Sequence, residues 1–413
     1  MSGRQVACRS CGSAGLRAIL SLGRLPLANA LLRAEQLGQA EPRYPLDLAF
    51  CPGCSLVQIL ETVPPERLFR DYPYLSSVAE TAVAEAGALA RRLAAARGLS
   101  AASLVVEAAS NDGYLLQHYR EAGVPVLGIE PAVNVAAIAR EARGIPTLAE
   151  FFSEELAERL ARAGSRADVF HAHNVLAHVA DLHGFGEGIR RLLKPEGLAV
   201  IEVPYVRDLV EGCAFDTIYH EHLCYFSLTA LDRFFRRHGL VIHDVERLAI
   251  HGGSLRLHVG CARAGGGAPG PRVRGLLAEE AEAGVDRFEF YRGFAARADA
   301  VRGALRKLLA GLRREGRRLA AYGASAKGTV LLNFCGIGGE TLEFVVDRNR
   351  LKQGLYTPGA HLPICAPARL LEAMPDFVLL LTWNFADEIM AQQAEYRRRG
   401  GRFIVPIPEP RIA

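Results

Sequence analysis

The chain has 413 residues, half of them apolar and 23% charged, with a formal net charge of only +4. That length exceeds one typical hydrophobic core, so two or three domains are expected, and the near-balanced charge argues against a nucleic-acid partner. No stretch reads as a membrane span, the N-terminus lacks a signal peptide's apolar core, and the nine cysteines are an odd count, so a cytoplasmic protein with no membrane contact and no disulfide framework is expected.

Cys8-Arg9-Ser10-Cys11 and Cys51-Pro52-Gly53-Cys54 are two Cys-x-x-Cys knuckles. Each can place two thiolates on one metal, and together they complete a tetrahedral Cys₄ zinc site. Gly12 and Gly53 are expected to permit the tight turns. A closed Cys₄ site leaves no position for substrate, so the zinc is structural. Between the knuckles, residues 22–32 read as loop then short helix, and Leu46–Phe50 alternates like a strand. Pro64-Pro65 marks a break. Tyr72 and Tyr74 then lie on a loop, as ligand contacts or as packing, before a helix from Val78 to Ala95.

Ser103–Glu107 is a short apolar strand that runs into Ala108–Gly113 and a helix over Tyr114–Glu121. Val126–Ile129 is a second strand, ended by the carboxylate of Glu130. This is a β-α-β unit whose second acid can hold ribose hydroxyls. The loop Glu107-x-x-Ser110-Asn111-Asp112-Gly113 lacks a Gly-x-Gly-x-x-Gly triplet. That favours S-adenosylmethionine, which has no pyrophosphate to cradle, over NAD. Ala167–Val179 holds a further strand and its C-terminal edge, where Asn174 and His178 stand and where ligands sit in open α/β sheets. A helix over Asp181–Leu193, the turn Lys194–Gly197 and the strand Leu198–Pro204 complete the pattern of a class I methyltransferase, a Rossmann-like fold.

Tyr219-His220-Glu221-His222 places four proton-handling side chains in succession within an apolar and aromatic context. Imidazole titrates near neutral pH, and a carbon acid beside a ketone needs both a base and a donor at the developing oxyanion. His222 suits the first role and His178 or Tyr219 the second. A catalytic metal would more naturally use a helical histidine spacing of three or four. A helix over Leu228–His238 and strands at Leu240–Leu248 and Leu255–Gly260 follow. The Gly252-Gly253 loop between these strands is either a close backbone approach to a ligand or a turn.

Residues 265–271 are a linker. Val273–Arg313 is helical by composition. A second Rossmann-like unit begins with a strand at Arg318–Tyr322. Its loop, Gly323-Ala324-Ser325-Ala326-Lys327-Gly328, opens a helix over Thr329–Phe334, and its next strand ends in Asp347. Free N–H groups at a helix start and the Lys327 charge suit a sugar-nucleotide pyrophosphate, unless the loop is a turn without ligand. Strands at Phe377–Asn384 and Phe403–Pro406 close this sheet. The fold class is therefore α/β. A small zinc-binding domain occupies residues 1–68, a methyltransferase domain 69–264 and a second Rossmann-like domain 272–413, which the resemblance below implies is the nucleotide-sugar-binding domain.

The paired knuckles, Tyr72–Ser77, Glu107–Gly113, Tyr219–His222 and Gly323–Gly328, in this order, resemble the nucleotide-sugar C-methyltransferases, including the C3-methyltransferases of deoxysugar biosynthesis that serve antibiotic pathways. The resemblance covers nearly the whole chain. It implies an S-adenosylmethionine-dependent enzyme acting on a TDP-linked 4-keto-deoxysugar. His222 maps to the family's base, with Tyr219, His220 and Glu221 around the sugar. His178 maps to the histidine after the fourth strand, and Tyr74 or Tyr72 to the tyrosine near the first domain junction. The expected cofactor contacts are Glu107, Ser110, Asn111, Asp112, Gly113, Glu130 and Asn174; the expected substrate contacts in the last domain are Gly323, Ser325, Lys327 and Asp347. One departure is Ala109, where methyltransferases often have glycine. Transfer to oxygen or nitrogen on the same fold, and a non-catalytic zinc-knuckle binding module, are the competing readings. Which carbon is methylated and the oligomeric state, monomer or larger, are left open.

Overall fold

The computed structural model describes residues 6–69, 75–78, 80–249, 252–262 and 268–413; Tyr72 and Tyr74 lie outside the described residues. Three sheets organise the chain. The first is antiparallel and joins Arg17–Pro26, Arg43–Phe50 and Val57–Ile59. Its fourth strand, Cys224–Tyr225, comes from far along the chain, just after the Tyr-His-Glu-His stretch. The expected loop and helix over residues 22–32 is corrected. Leu22–Pro26 ends the first strand, and no helix follows it before residue 33. The ladder shifts register twice along this strand, and Gly23 sits in the second shift with φ +80°, which erases the alternation that marks a strand.

The second sheet runs in the order Leu240–Leu248, Ser254–Cys261, Leu193–Pro204, Ala167–His173, Val105–Ala108, Val126–Ile129, Thr147–Leu148. Ser254–Cys261 alone is antiparallel to its neighbours. This is the class I methyltransferase architecture. Val105–Ala108 is buried throughout, which is why it reads as a plain apolar run. The chain leaves it to one side and later returns on the other, so a crevice opens outside its carboxyl end. Lys194–Gly197, expected as a turn before the strand, is a bulge within it: Leu193 pairs with Ala167 and Leu198 already with Val169.

The third sheet has the order Ile364–Cys365, Val345–Val346, Leu319–Tyr322, Phe377–Leu380, Arg402–Val405, Arg411–Ile412. Arg402–Val405 does not close it. Arg411–Ile412 pairs antiparallel along that edge. The long helical span before this sheet breaks into Pro271–Ala283, Phe288–Tyr291 and Phe294–Arg314, with left-handed glycines at Gly284 and Gly293 marking the two breaks.

One apolar core runs through all three parts, from Leu20 and Val57 through Phe215 and Phe226 to Leu331 and Leu379. Phe215 packs on Phe334 with ring centroids 5.2 Å apart, so the segment leading to Tyr219 is wedged between the second and third parts. None of the nine cysteines forms a disulfide. Among the described residues, no helix is long and apolar enough to cross a membrane.

Candidate active site

The sulfurs of Cys8, Cys11, Cys51 and Cys54 lie within 4.8 Å of one another. The pairs Cys8–Cys54 and Cys11–Cys51 are each 3.4 Å apart. Tetrahedral zinc with Zn–S bonds of about 2.3 Å holds sulfurs at comparable separations, so the donor set fits a structural zinc ion. Two backbone turns present the thiolates: Gly12 N–H donates to the Cys8 carbonyl at 2.9 Å and Ser55 N–H to that of Cys51 at 2.8 Å. The left-handed position of the second knuckle is Ser55, φ +63°, and not Gly53. Gly53 instead lies flat over the sulfurs, where an added Cβ would touch Cys11 Sγ at 3.5 Å.

At the carboxyl end of Val105–Ala108 the loop turns sharply, with Ala109, Asn111 and Gly113 all left-handed. Glu130 fastens this loop by accepting the Asn111 N–H at 2.9 Å and the Ala132 N–H at 2.8 Å. Ser110 and Asp112, expected as cofactor contacts, are fully buried beneath the loop. Ser110 Oγ packs on Gly128, where a Cβ would approach within 2.5 Å. Asp112 pairs with Arg143 at 3.1 Å. Ser110 Oγ and Asp112 Oδ1 keep no hydrogen-bond partner among the described residues. Asn174 ends its strand in a left-handed turn, φ +55°, at the same edge. Glu107 is buried with one oxygen lacking a hydrogen-bond partner, and burial, then Glu130, Asp112 and Glu202, push its carboxyl well above the ordinary range. Crowded, desolvated carboxylates suit a cationic ligand. S-Adenosylmethionine, with its sulfonium and ammonium, fits that cluster.

Residues 219–222 close a turn in which His222 N–H donates to the Tyr219 carbonyl at 2.9 Å. The turn stacks the rings of Tyr219 and His222 with centroids 4.2 Å apart. His222 Nδ1 lies 3.2 Å from the Thr217 carbonyl. A carbonyl only accepts, so Nδ1 carries the proton and Nε2 the lone pair. Tyr219 O–H donates to that Nε2 at 2.9 Å. Burial, then Glu221, hold the Tyr219 hydroxyl well above its usual range, so it stays a neutral donor. His178 meets His222 edge-on at 4.8 Å and Phe69 at 5.5 Å. Desolvation pushes its imidazole down to about 4. Leu223 N–H donates to the Ala177 carbonyl at 2.7 Å, which clamps the motif to the turn carrying His178.

His220 is turned away from this group. Its Nε2 donates to the Tyr44 and Pro45 carbonyls, 3.3 and 3.2 Å away, and so ties the motif to the zinc-bearing sheet. Glu221 is buried and accepts from Asn29 Nδ2 at 2.7 Å. Ala28 accepts from Thr329 Oγ1 at 2.9 Å, so the loop between the knuckles reaches both later parts of the chain. Sequence reasoning missed Asn29, which carries no local signal. His171 and His173, buried and held below the ordinary range by desolvation, continue a polar row from Tyr119 toward Glu202 and Arg256 and stay apart from His222.

In the last part, Gly323 is left-handed at φ +93°, and a Cβ there would meet Thr382 Oγ1 at 2.5 Å. Ser325 Oγ caps the helix Ala326–Cys335 by accepting the Gly328 N–H at 3.1 Å. Asp347 accepts the Ala324 and Asn349 N–H groups at 2.8 and 2.7 Å and so builds the loop. Lys327, expected as a charge for a pyrophosphate, points inward. Its Nζ is buried without a hydrogen-bond partner among the described residues, 5.4 Å over the Trp383 ring, and burial lowers its pKa while Asp216 opposes this. Trp383 Nε1 donates to Asp216 Oδ2 at 2.7 Å. Lys352, also missed, donates to the Ala324 carbonyl at 2.8 Å within the field of Asp347 and Glu221.

Comparison with known proteins gives three family matches in chain order: a zinc binding domain over residues 8–69, a methyltransferase domain over 80–245 and a C-methyltransferase C-terminal domain over 249–408. The C-methyltransferase NovU of Streptomyces niveus is 39% identical over 405 residues, covering 98% of this chain and 96% of that protein. Among solved structures, a magnesium protoporphyrin IX methyltransferase from Synechocystis PCC 6803 is 14% identical over 43% of this chain and 78% of its own, with TM-score 0.33. The CcbJ methyltransferase of Streptomyces caelestis is 16% identical over 43% of this chain and 90% of its own, with TM-score 0.34.

Proposed function

The chain belongs to the C-methyltransferase family, and from that premise we propose that it methylates the carbon beside the ketone of a nucleotide-linked, TDP-type 4-keto-deoxysugar. In this reading residues 1–68 carry zinc, 69–264 the methyl donor and 272–413 the nucleotide end of the acceptor. The observation that carries it is the Tyr219–His222 pair, a neutral hydroxyl donor bonded to an imidazole lone pair. S-Adenosylmethionine, when bound, supplies a methyl group on a cationic sulfur.

The chain's own residues do the rest. A ketone oxygen placed beside Tyr219 takes over its O–H, which until then is held by His222. That exchange frees Nε2 of His222 to take the proton from the adjacent carbon. The Thr217 carbonyl keeps the proton on Nδ1 and steadies the imidazolium that forms. Tyr219 holds the growing charge on oxygen, and the enolate carbon is then the nucleophile. His178, neutral and edge-on, keeps the His222 ring in place and shields it from water.

The test is solvent exchange. With a TDP-4-keto-6-deoxysugar in D₂O, the enzyme is expected to place deuterium beside the ketone and, with S-adenosylmethionine, a new methyl on that carbon. His222→Asn is expected to lose both, by roughly 10²–10⁴-fold, while still binding S-adenosylmethionine. Methyl transfer without loss of a ring C–H would move the chemistry to oxygen or nitrogen.

A further inference from the structure

The short turn Phe215–Thr217 is buried throughout. Its last carbonyl, that of Thr217, accepts from His222 Nδ1 at 3.2 Å and from the Tyr225 O–H at 3.5 Å. Where that oxygen points decides which imidazole nitrogen keeps the proton and where Nε2 faces. The two residues before it anchor the turn in different ways. Phe215 packs on Phe334 with ring centroids 5.2 Å apart. Apolar contact is non-directional, so it resists withdrawal of the turn far more than its rotation.

Asp216 supplies the direction. It is fully buried, and its Oδ2 accepts the Trp383 Nε1–H at 2.7 Å. Hydrogen bonds to a carboxylate are short, strong and directional. Burial pushes the Asp216 carboxyl up to about 6, and Lys327, then the Trp383 N–H, oppose that shift. Lys327 stands 5.4 Å over the Trp383 ring, and Asp216 in turn opposes the lowering of its pKa by burial. Both holders come from the third part of the chain: Lys327 lies at the start of the helix Ala326–Cys335, and Trp383 follows the strand Phe377–Leu380.

The reaction outlined above does not use Asp216. Oδ2 is taken by Trp383, and Oδ1 has no hydrogen-bond partner among the described residues. Apolar side chains in place of a buried charge pair are often as stable, so packing alone does not call for a carboxylate here. We propose that Asp216 is a positioning residue for His222: held by Trp383 in the field of Lys327, it fixes the rotation of the Phe215–Thr217 turn and so aims the Thr217 carbonyl at Nδ1. The third part of the chain thereby sets the orientation of a base carried by the second. The proposal rests on the reading of His222 as the base.

Deuterium uptake beside the ketone of a TDP-4-keto-6-deoxysugar, followed without S-adenosylmethionine, reads the base apart from methyl transfer. Trp383→Phe keeps an aromatic ring and deletes the N–H; Asp216→Ala deletes the acceptor. Each is expected to slow exchange at saturating sugar roughly ten- to a hundredfold, the cost of a group misplaced by about 1 Å. The KM for the sugar and the affinity for S-adenosylmethionine are expected to stay within about twofold. Both changes break one bond, so adding Trp383→Phe to Asp216→Ala is expected to slow exchange by no more than a further twofold or so. Three results would each overturn the proposal while His222→Asn still abolishes exchange: Trp383→Phe exchanging within twofold of the parent, losses that multiply in the double variant, or an equal loss of donor affinity. If His222→Asn exchanges at the parent rate, the base reading itself fails and takes this proposal with it.

Discussion

Val57 pairs with Tyr225 across an antiparallel ladder, so the strand that follows the Tyr-His-Glu-His turn belongs to the same sheet as the zinc knuckles. Ile59 N–H adds a bond to the Leu223 carbonyl at 3.0 Å. The sheet that carries the knuckles thus also holds one side of the turn with Tyr219 and His222.

Cys51→Ser removes one of four ligands and is expected to abolish tight zinc binding, because structural zinc affinity is folding energy. Methyl transfer is expected to fall at least a hundredfold as the sheet loosens around residues 219–225. S-Adenosylmethionine affinity is expected to change less than about threefold, since its loop stands on a different sheet. Metal analysis, activity and calorimetry on one preparation check the three together. Equal loss of donor binding would show that the mutation unfolds the whole chain, and full activity without zinc would remove the link.

Asn29, from between the knuckles, donates to Glu221, which is buried. A hydrogen bond to a charged group is worth about 1.5–3 kcal/mol. Asn29→Ala is therefore expected to lower kcat/KM for the sugar roughly ten- to a hundredfold if Glu221 faces the acceptor, with donor affinity unchanged. Steady-state kinetics decide it: a value within twofold of the parent would leave the bond a purely structural strut.

The residue types of this candidate site were readable in advance; their partners were not, for a physical reason. The apolar strands, their acidic ends and the proton-handling side chains of Tyr219 and His222 are local signals. That His220 points the other way is not, because the bond closing the turn puts the first and fourth side chains together and turns the second aside. Asn29, Trp383 and Lys352 were invisible because each finds its partner far along the chain, and no periodicity encodes such pairs. That Ser110 packs on Gly128 and Asp112 pairs with Arg143 was not legible either, because both partners lie outside the loop.

His178 gives a stability prediction with a definite sign. Its imidazole is held down to about 4 by burial, against an ordinary value near 6.5. Between those values the unfolded chain binds the proton and the folded chain does not, so stability rises with pH across that window and is lost as pH falls through it. The full loss is on the order of 3 kcal/mol. His178→Asn removes the titration. Denaturation of both proteins at pH 6.5 and pH 4.5 is expected to show the variant losing less on acidification, whatever its absolute stability. Equal losses would mean that His178 takes up protons freely when folded.

Tyr219→Phe separates a working donor from a packing ring. The change keeps the stacked ring and deletes the O–H that His222 Nε2 accepts at 2.9 Å. Losing one oxyanion donor costs about 10²–10³ in kcat, so a fall of that size is expected. A ring that merely packs would leave kcat unchanged. The readout is kcat against S-adenosylmethionine affinity on the same preparation: a fall in kcat with donor affinity unchanged keeps Tyr219 as the donor to the ketone, and a kcat within twofold of the parent would mean that the exchange of its O–H from imidazole to ketone has to be abandoned.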